Sequence, residues 1–210
     1  MALEAQINPH FLYNILDSIN WIAIGKKEYE ISRAITALGM IMRYGINNSN
    51  GVVTLQEECE WLKQYLYLQE TRLKGNFESR IIISPEARKI KIHKLLFQPF
   101  VENAVLHGFE GIKRKFLLQV TVDLFPEGLR IEIYDNGKGM DSHIAEEINR
   151  GVMPESSEKN HIGIKNAVGR IRMYYGESAS VKVESQKGKY TKIIIIIPIV
   201  EGIQDENSSS

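Results

Sequence analysis

Cysteine is nearly missing from this chain: Cys59 is the single one in 210 residues. An internal disulfide is thereby excluded, and a reducing compartment fits. Net charge is missing as well, because 26 basic and 26 acidic residues cancel. A nucleic-acid binder that works through a broad basic face is therefore not expected. No apolar run approaches the roughly 18 residues that a membrane-spanning helix needs. The run IIIII at 193–197 is short and reads as a buried strand. Apolar side chains are plentiful, at 43% of the chain, enough to build the core of one large domain or two small ones.

The period of the apolar residues changes along the chain. Over 3–24, Leu12, Ile15, Leu16, Ile19 and Ile22 recur at helical spacing. A second helix is expected over 28–44, with Ile31, Ile35, Leu38 and Met42 on one side, and GINNSNG (45–51) reads as a connector. TLQE, starting at Thr54, is a capping box: the Thr54 hydroxyl accepts from the backbone of Glu57, and Glu57 reaches back. Leu55, Cys59, Leu62, Leu66 and Leu73 then form a seam that should pack on another helix. At KGNF (74–77) the texture turns from helical to mixed. Strands are expected at 80–83, 116–125 and 129–135, and a hairpin around QKGK near the end. Helices are expected over 93–109, with Pro99 inside the first part, near 141–149, and over 162–176. The predicted organisation is α+β: a helical hairpin or bundle over 1–74, an α/β domain over 75–203 with a hinge near Gly75, and a polar tail over 204–210. The start in the middle of a helical pattern suggests a fragment of something longer.

Three clusters in the second half carry chemistry. ENA (102–104) is either a polar helix surface or a site where Asn103 offers a neutral oxygen to Mg²⁺, which keeps waters and takes its other ligands from nucleotide phosphates. DNGKGM (135–140) follows a strand. It is either an ordinary turn or a pocket floor. As a floor, Asp135 would accept a hydrogen bond from the exocyclic amine of adenine, while Gly137 and Gly139 would let the backbone pass close to the base. HIGIKNAVGR (161–170) is either a plain helix entry or a phosphate-binding one, with Gly163 and Asn166 as its candidate residues. The polar stretch before it, 141–161, has the length and composition of a lid.

Taken together and in this order, the three clusters resemble the nucleotide-binding boxes of the GHKL superfamily of ATPases and kinases. QINPHFLYN followed by LDSINW, together with LQEECEWLKQYLYLQETRL and QPFVENAVLHGF, is similar to the LytS/YesM-type sensor histidine kinases. The resemblance spans about residues 3–199. It implies a GHKL-type α/β sandwich that binds ATP with Mg²⁺, with His10 as the phosphoacceptor. It further implies a helical region that makes a homodimer, and a response regulator receiver domain as the partner that takes the phosphoryl group. Nucleic acid has no part in it. The membrane enters only through an upstream segment missing here, which makes this the cytoplasmic portion of a membrane sensor.

Several residues need individual weighing. His10, Asn14 and Asp17 share a helix face off the apolar stripe. Many histidine kinases place a carboxylate right after this histidine, whereas this chain has Phe11, so Asn14 is the candidate to orient the ring. Pro9 either starts the helix or kinks it, and the helix-forming residues before it favour the kink. Gyrase-like relatives carry a catalytic glutamate one turn before the Mg²⁺-binding asparagine. Pro99 stands there instead, which speaks against hydrolysis of ATP by water. Glu102 neighbours Asn103 but points about 100° away around the helix; it either polarises the nucleophile or meets a surface partner. His107, one turn after Asn103, either touches the nucleotide or ends the helix. Lys113, Arg114 and Lys115 either reach phosphates or form a solvated turn. His161 takes the place of a family glycine, Ile164 of a leucine, and KYT (189–191) lacks a family glycine. A weakened signalling scaffold and an ATPase clamp are the alternatives.

Overall fold

The described residues begin with two helices, α1 (Pro9–Gly25) and α2 (Tyr29–Ile46). The structure is a computed structural model and describes residues 9–46, 51–150 and 159–199, without the side chains of 159–162 and 165. The two helices pack on each other as a hairpin, yet each buries a single residue, Ala23 in α1 and Ala37 in α2. Leu12 and Leu16 are half-buried, while Phe11, Ile15, Ile19, Trp21 and Ile22 stay exposed. The kink expected at Pro9 turns on residues 1–8, which lie outside the described residues.

Strand β1 (Val52–Thr54) leads directly into α3 (Leu55–Arg72). The expected capping box is present: Thr54 Oγ1 accepts from the Glu57 backbone at 3.2 Å, and the Glu57 carboxylate accepts from the Thr54 backbone at 2.8 Å. Leu55, Cys59, Leu62 and Leu66 are buried, and this face packs on α2 and on strand β2 (Phe77–Ile83). A short strand β3 (Lys91–His93) pairs antiparallel with β1. Both are three residues long and too short to leave a periodic signal, so neither was expected from the sequence.

The helix expected over 93–109 starts later. α4 runs Gln98–Asn103 and continues as one wide π-helical turn, Ala104–Gly108. A helix cannot run through Leu95, which has a positive φ of 57°. Pro99 has no N–H to donate and so belongs in the first turn rather than further in. The remaining elements are β4 (Phe116–Phe125), β5 (Gly128–Asp135), α5 (Ser142–Arg150), α6 (Lys159–Tyr175), β6 (Ser180–Gln186) and β7 (Tyr190–Ile197).

The five-stranded sheet has the order β2-β4-β5-β7-β6, antiparallel except for the β2–β4 pair. Burial alternates along β4, β5 and β7, so one face carries the core. The isoleucine run obeys this rule: Ile193, Ile195 and Ile197 are buried, Ile194 and Ile196 half-buried. The sheet's inner residues share one core with α3, α4, α5 and α6. The fold class is the expected one, a helical hairpin followed by an α/β sandwich, but α3, which the sequence assigns to the helical region before a hinge at Gly75, shares its core with the sheet.

Candidate functional site

The register of the sheet fixes the floor of a cleft. Asp135 ends β5 and pairs with Thr191 of β7. The chain then turns sharply through residues 136–140. Asp135 Oδ1 accepts from the Gly137 backbone N–H at 2.9 Å, and the carboxylate also accepts from the Thr191 backbone. The side chain is 5% exposed, and this burial pushes its pKa up to about 7 against the pull of those two N–H groups. Glycine is required in the turn. A Cβ on Gly137 would lie 2.4 Å from Asp135 Oδ1 and 2.5 Å from the Gly108 carbonyl oxygen. Gly139 has φ +60° and passes so close to the Gln186 carbonyl that a Cβ would sit 2.2 Å from it.

The cleft above this floor has a volume of about 460 Å³, within the range of small-molecule sites. Asn103, His107 and Gly108 form one wall, Met140 and Ile144 another, and Lys187 and Gly188 the rim. Lys187 Nζ bridges to Asp141 at 2.9 Å across that rim. The π-helical turn widens the helix just where Asn103 and His107 must both face the cleft, a usual place for such turns.

Of the residues expected to act, Asn103, His107, Asp135 and Gly139 line this cleft, and Gly137 lies in the turn beneath it. Glu102 does not line it; its carboxylate accepts from Gln98 Nε2 at 2.7 Å, along the helix. Gly163 is not a helix entry. α6 begins at Lys159, four residues earlier, because one glycine costs a helix only about 1 kcal/mol and does not end it. Gly163 and Asn166 are both exposed on α6 and do not line the cleft. The stretch expected as a lid holds α5 at 142–150, and residues 151–158 lie outside the described residues, as does the side chain of His161. His10 and Asn14 are exposed on α1, apart from the cleft lining, with Asn14 Nδ2 3.4 Å from His10 Nδ1.

Arg114 is the residue that the sequence reading undervalued. Its guanidinium neither reaches into the cleft nor stands in solvent alone. Nη2 donates to the backbone carbonyls of Asn136 at 2.6 Å, Gly137 at 3.1 Å, Gly188 at 3.2 Å and Lys189 at 3.0 Å. It thereby ties the turn after β5 to the β6–β7 turn, and both turns border the cleft. Lys115 pairs with Glu78 at 2.8 Å instead. Replacing Arg114 by alanine should lower affinity for a cleft ligand about fivefold to tenfold, and lysine should recover little, because an ammonium lacks the planar fork. A fluorescence titration with an ATP analogue, run beside a melting curve, checks this; unchanged affinity for the alanine variant rules out the tie.

A two-layer α/β domain with a cleft at one end of its sheet, preceded by a helical hairpin with an apolar outer face, is a defined class of architecture. Comparison with known proteins agrees. Residues 89–201 match the histidine kinase-, DNA gyrase B- and HSP90-like ATPases, and residues 1–77 match the histidine kinase family. Among curated proteins, the sensor histidine kinase YesM of Bacillus subtilis is 34% identical over 94% of this chain, and the sensor protein kinase HptS of Staphylococcus aureus is 27% identical over 97%. The chain spans only 33% and 39% of those two proteins. Among solved structures, the histidine kinase domain of the Erythrobacter litoralis EL346 blue-light activated kinase overlays with a TM-score of 0.52 at 14% identity, covering 87% of this chain and 85% of that one. The catalytic domain of histidine kinase ThkA overlays with a TM-score of 0.52 at 15% identity, covering 70% of this chain and 95% of that one. These overlays show the fold. The chain belongs to the histidine kinases, with a domain of the gyrase- and HSP90-like ATPase type.

Proposed function

We propose that the chain is the kinase core of a two-component sensor on the cytoplasmic side of a membrane. It takes the γ-phosphoryl group of ATP onto His10 and passes it to an aspartate of a response regulator receiver domain. The observation that carries this reading is the buried Asp135 carboxylate at the floor of the cleft. Two of its acceptor positions hold the turn through Gly137 and Thr191, and the remaining capacity suits the exocyclic amine of adenine. Asn103, on the cleft wall, offers an amide oxygen to Mg²⁺ that arrives with the phosphates. Among the described residues no three of His, Cys, Asp and Glu are grouped to hold a metal unaided. Bound there, Mg²⁺ would neutralise charge developing on the phosphates.

At the acceptor, the Asn14 amide can present its oxygen to His10 Nδ1–H, since amide oxygen and nitrogen exchange by a simple flip. That tautomer puts the ring's lone pair on Nε2, where neutral imidazole attacks phosphorus and the Nδ1 proton stays on the ring. A second copy of the chain is the proposed cover for the exposed apolar face of the hairpin, which includes Ile15, Ile19, Ile22, Ile31 and Leu38.

Incubation with γ-labelled ATP and Mg²⁺ tests the reading. Label should appear on the chain, survive alkali and be lost in acid, as a phosphoramidate behaves. Nucleotide binding without label would sink the kinase reading and leave a scaffold. Steady release of free phosphate without label would leave an ATPase clamp.

A further inference from the structure

Glu58 is the charged side chain with the least reason to be buried. It lies in α3, has 0% exposure, and lines neither the cleft nor the exposed face that carries His10. Burial of a carboxylate is costly unless donors surround it, and here desolvation pushes its pKa above the usual range. Its donors come from two other elements. The Tyr44 hydroxyl of α2 donates to it at 2.5 Å, and the backbone N–H groups of Leu95 and Phe97 donate at 2.9 and 3.3 Å. Phe97 immediately precedes α4, which has no side-chain cap of its own. Glu58 thus supplies, from a neighbouring helix, the acceptor for the backbone entering the helix that carries Asn103.

The segment it holds is strained and gripped from a third side. Leu95 sits at φ 57°, which is unfavourable for a residue with a Cβ. Arg170 of α6 donates to the Leu95 carbonyl, and the Tyr175 hydroxyl, also on α6, accepts from the His93 backbone at 2.9 Å. Tyr44 itself is fixed between Trp61, ring to ring at 5.9 Å, and the Lys94 ammonium, 4.6 Å from its ring centre. Helices α2, α3 and α6 therefore converge on residues 93–97.

We propose that Glu58 is a positioning residue for the nucleotide cleft, and that its hydrogen bond from Tyr44 makes this hold depend on where the His10-bearing hairpin sits. This rests on the nucleotide reading of the cleft. If α2 moves away, the buried carboxylate loses its one side-chain donor. The backbone N–H groups of Leu95, Leu96 and Phe97 then hold the buried carboxylate alone, so the entry to α4 loosens and Asn103 with it. Linkage runs both ways: nucleotide that orders α4 favours the hairpin position in which Tyr44 reaches Glu58.

The test uses the 210-residue chain, native and with Tyr44→Phe, Glu58→Gln and both. Tyr44→Phe deletes one hydroxyl and keeps the ring on Trp61. It should speed amide exchange at Leu95, Phe97 and through α4 about tenfold, while amides of β4 and β5 hold their rates. The dissociation constant for Mg-ATP should rise about threefold to tenfold for Tyr44→Phe, although Tyr44 is not in the cleft, and further for Glu58→Gln. The double variant should be no weaker than Glu58→Gln alone, because Tyr44 acts through Glu58. Exchange changes confined to α2, affinity unchanged by Tyr44→Phe, or effects that simply multiply would each overturn the proposal. Should Glu58→Gln not fold, Tyr44→Phe carries the test alone. If the native chain binds no Mg-ATP, the nucleotide reading fails, and the exchange pattern alone decides whether Tyr44 controls α4.

Discussion

Replacing His10 by glutamine is expected to remove all label transferred from γ-labelled ATP, a loss of more than about a thousandfold, while nucleotide affinity stays within about twofold. The two halves of this expectation have separate origins. Glutamine has no nitrogen lone pair that can attack phosphorus, so the covalent step has no acceptor. The cleft, in contrast, is built by α4, β5, β7 and the turns around them, and His10 on α1 contributes nothing to its lining. Glutamine also suits a helix at least as well as histidine, so the hairpin should persist. Intact-protein mass spectrometry and a binding titration on the same preparation measure both halves. Label retained by the variant would move the acceptor to another side chain. Lost nucleotide affinity would mean that a change on α1 reaches the cleft, directly or through the Tyr44–Glu58 contact.

Asp135→Asn should cost about tenfold to a hundredfold in nucleotide affinity and yet raise the melting temperature of the free protein at pH 8. Affinity falls because an amide NH₂ would face the adenine amine, donor against donor. The stability gain follows from the direction of the pKa shift. Burial raises the Asp135 carboxyl to about 7, so the native state holds this proton more tightly than the unfolded chain does. The contribution is therefore fully present below the ordinary carboxylate range and is lost as pH rises through about 7. At pH 8 the native protein carries a buried, desolvated charge that asparagine avoids. The gain should be a few degrees at pH 8 and should vanish near pH 4, where both side chains are neutral. The same shift sets a pH dependence for binding. An amine donor favours the ionised carboxylate, so nucleotide affinity of the native protein should fall as pH drops below about 7, and that of the asparagine variant should stay flat. Calorimetric titrations at pH 6 and 8 and melting curves at pH 4 and 8 are sufficient. A variant that is less stable at pH 8 would contradict the desolvation argument.

The sequence alone was enough for the parts of this protein that depend on local periodicity and on short-range chemistry. The 3.6-residue spacing in α1–α3, the reciprocal cap between Thr54 and Glu57, and the alternation in β4, β5 and β7 all lie within windows of a few residues, where the backbone's preferences and the apolar pattern agree. That Asn103, Asp135 and Gly139 would meet at one cleft, with Gly137 in the turn beneath it, was legible for the same reason, since each sits in a compact motif. What failed in the sequence reading failed where a distant segment decides. α4 starts at Gln98 because Leu95 is held in a left-handed conformation between Glu58 and Arg170, 37 and 75 residues away along the chain. Gly163 looked like a helix entry, yet α6 begins a turn earlier and buries Ile164, Val168 and Ile171 in the shared core. From sequence Arg114 is either a phosphate contact or part of a solvated turn, and only the approach of the 136–137 and 188–189 backbones gives its guanidinium four carbonyls to hold. Buried charge and non-local hydrogen bonds carry no periodic trace in a sequence, because their partners are chosen by the fold. Local pattern thus determined that there would be a hairpin, a sandwich and a tight glycine turn beneath a cleft. Tertiary packing decided how the cleft is braced and which buried carboxylate joins the hairpin to it.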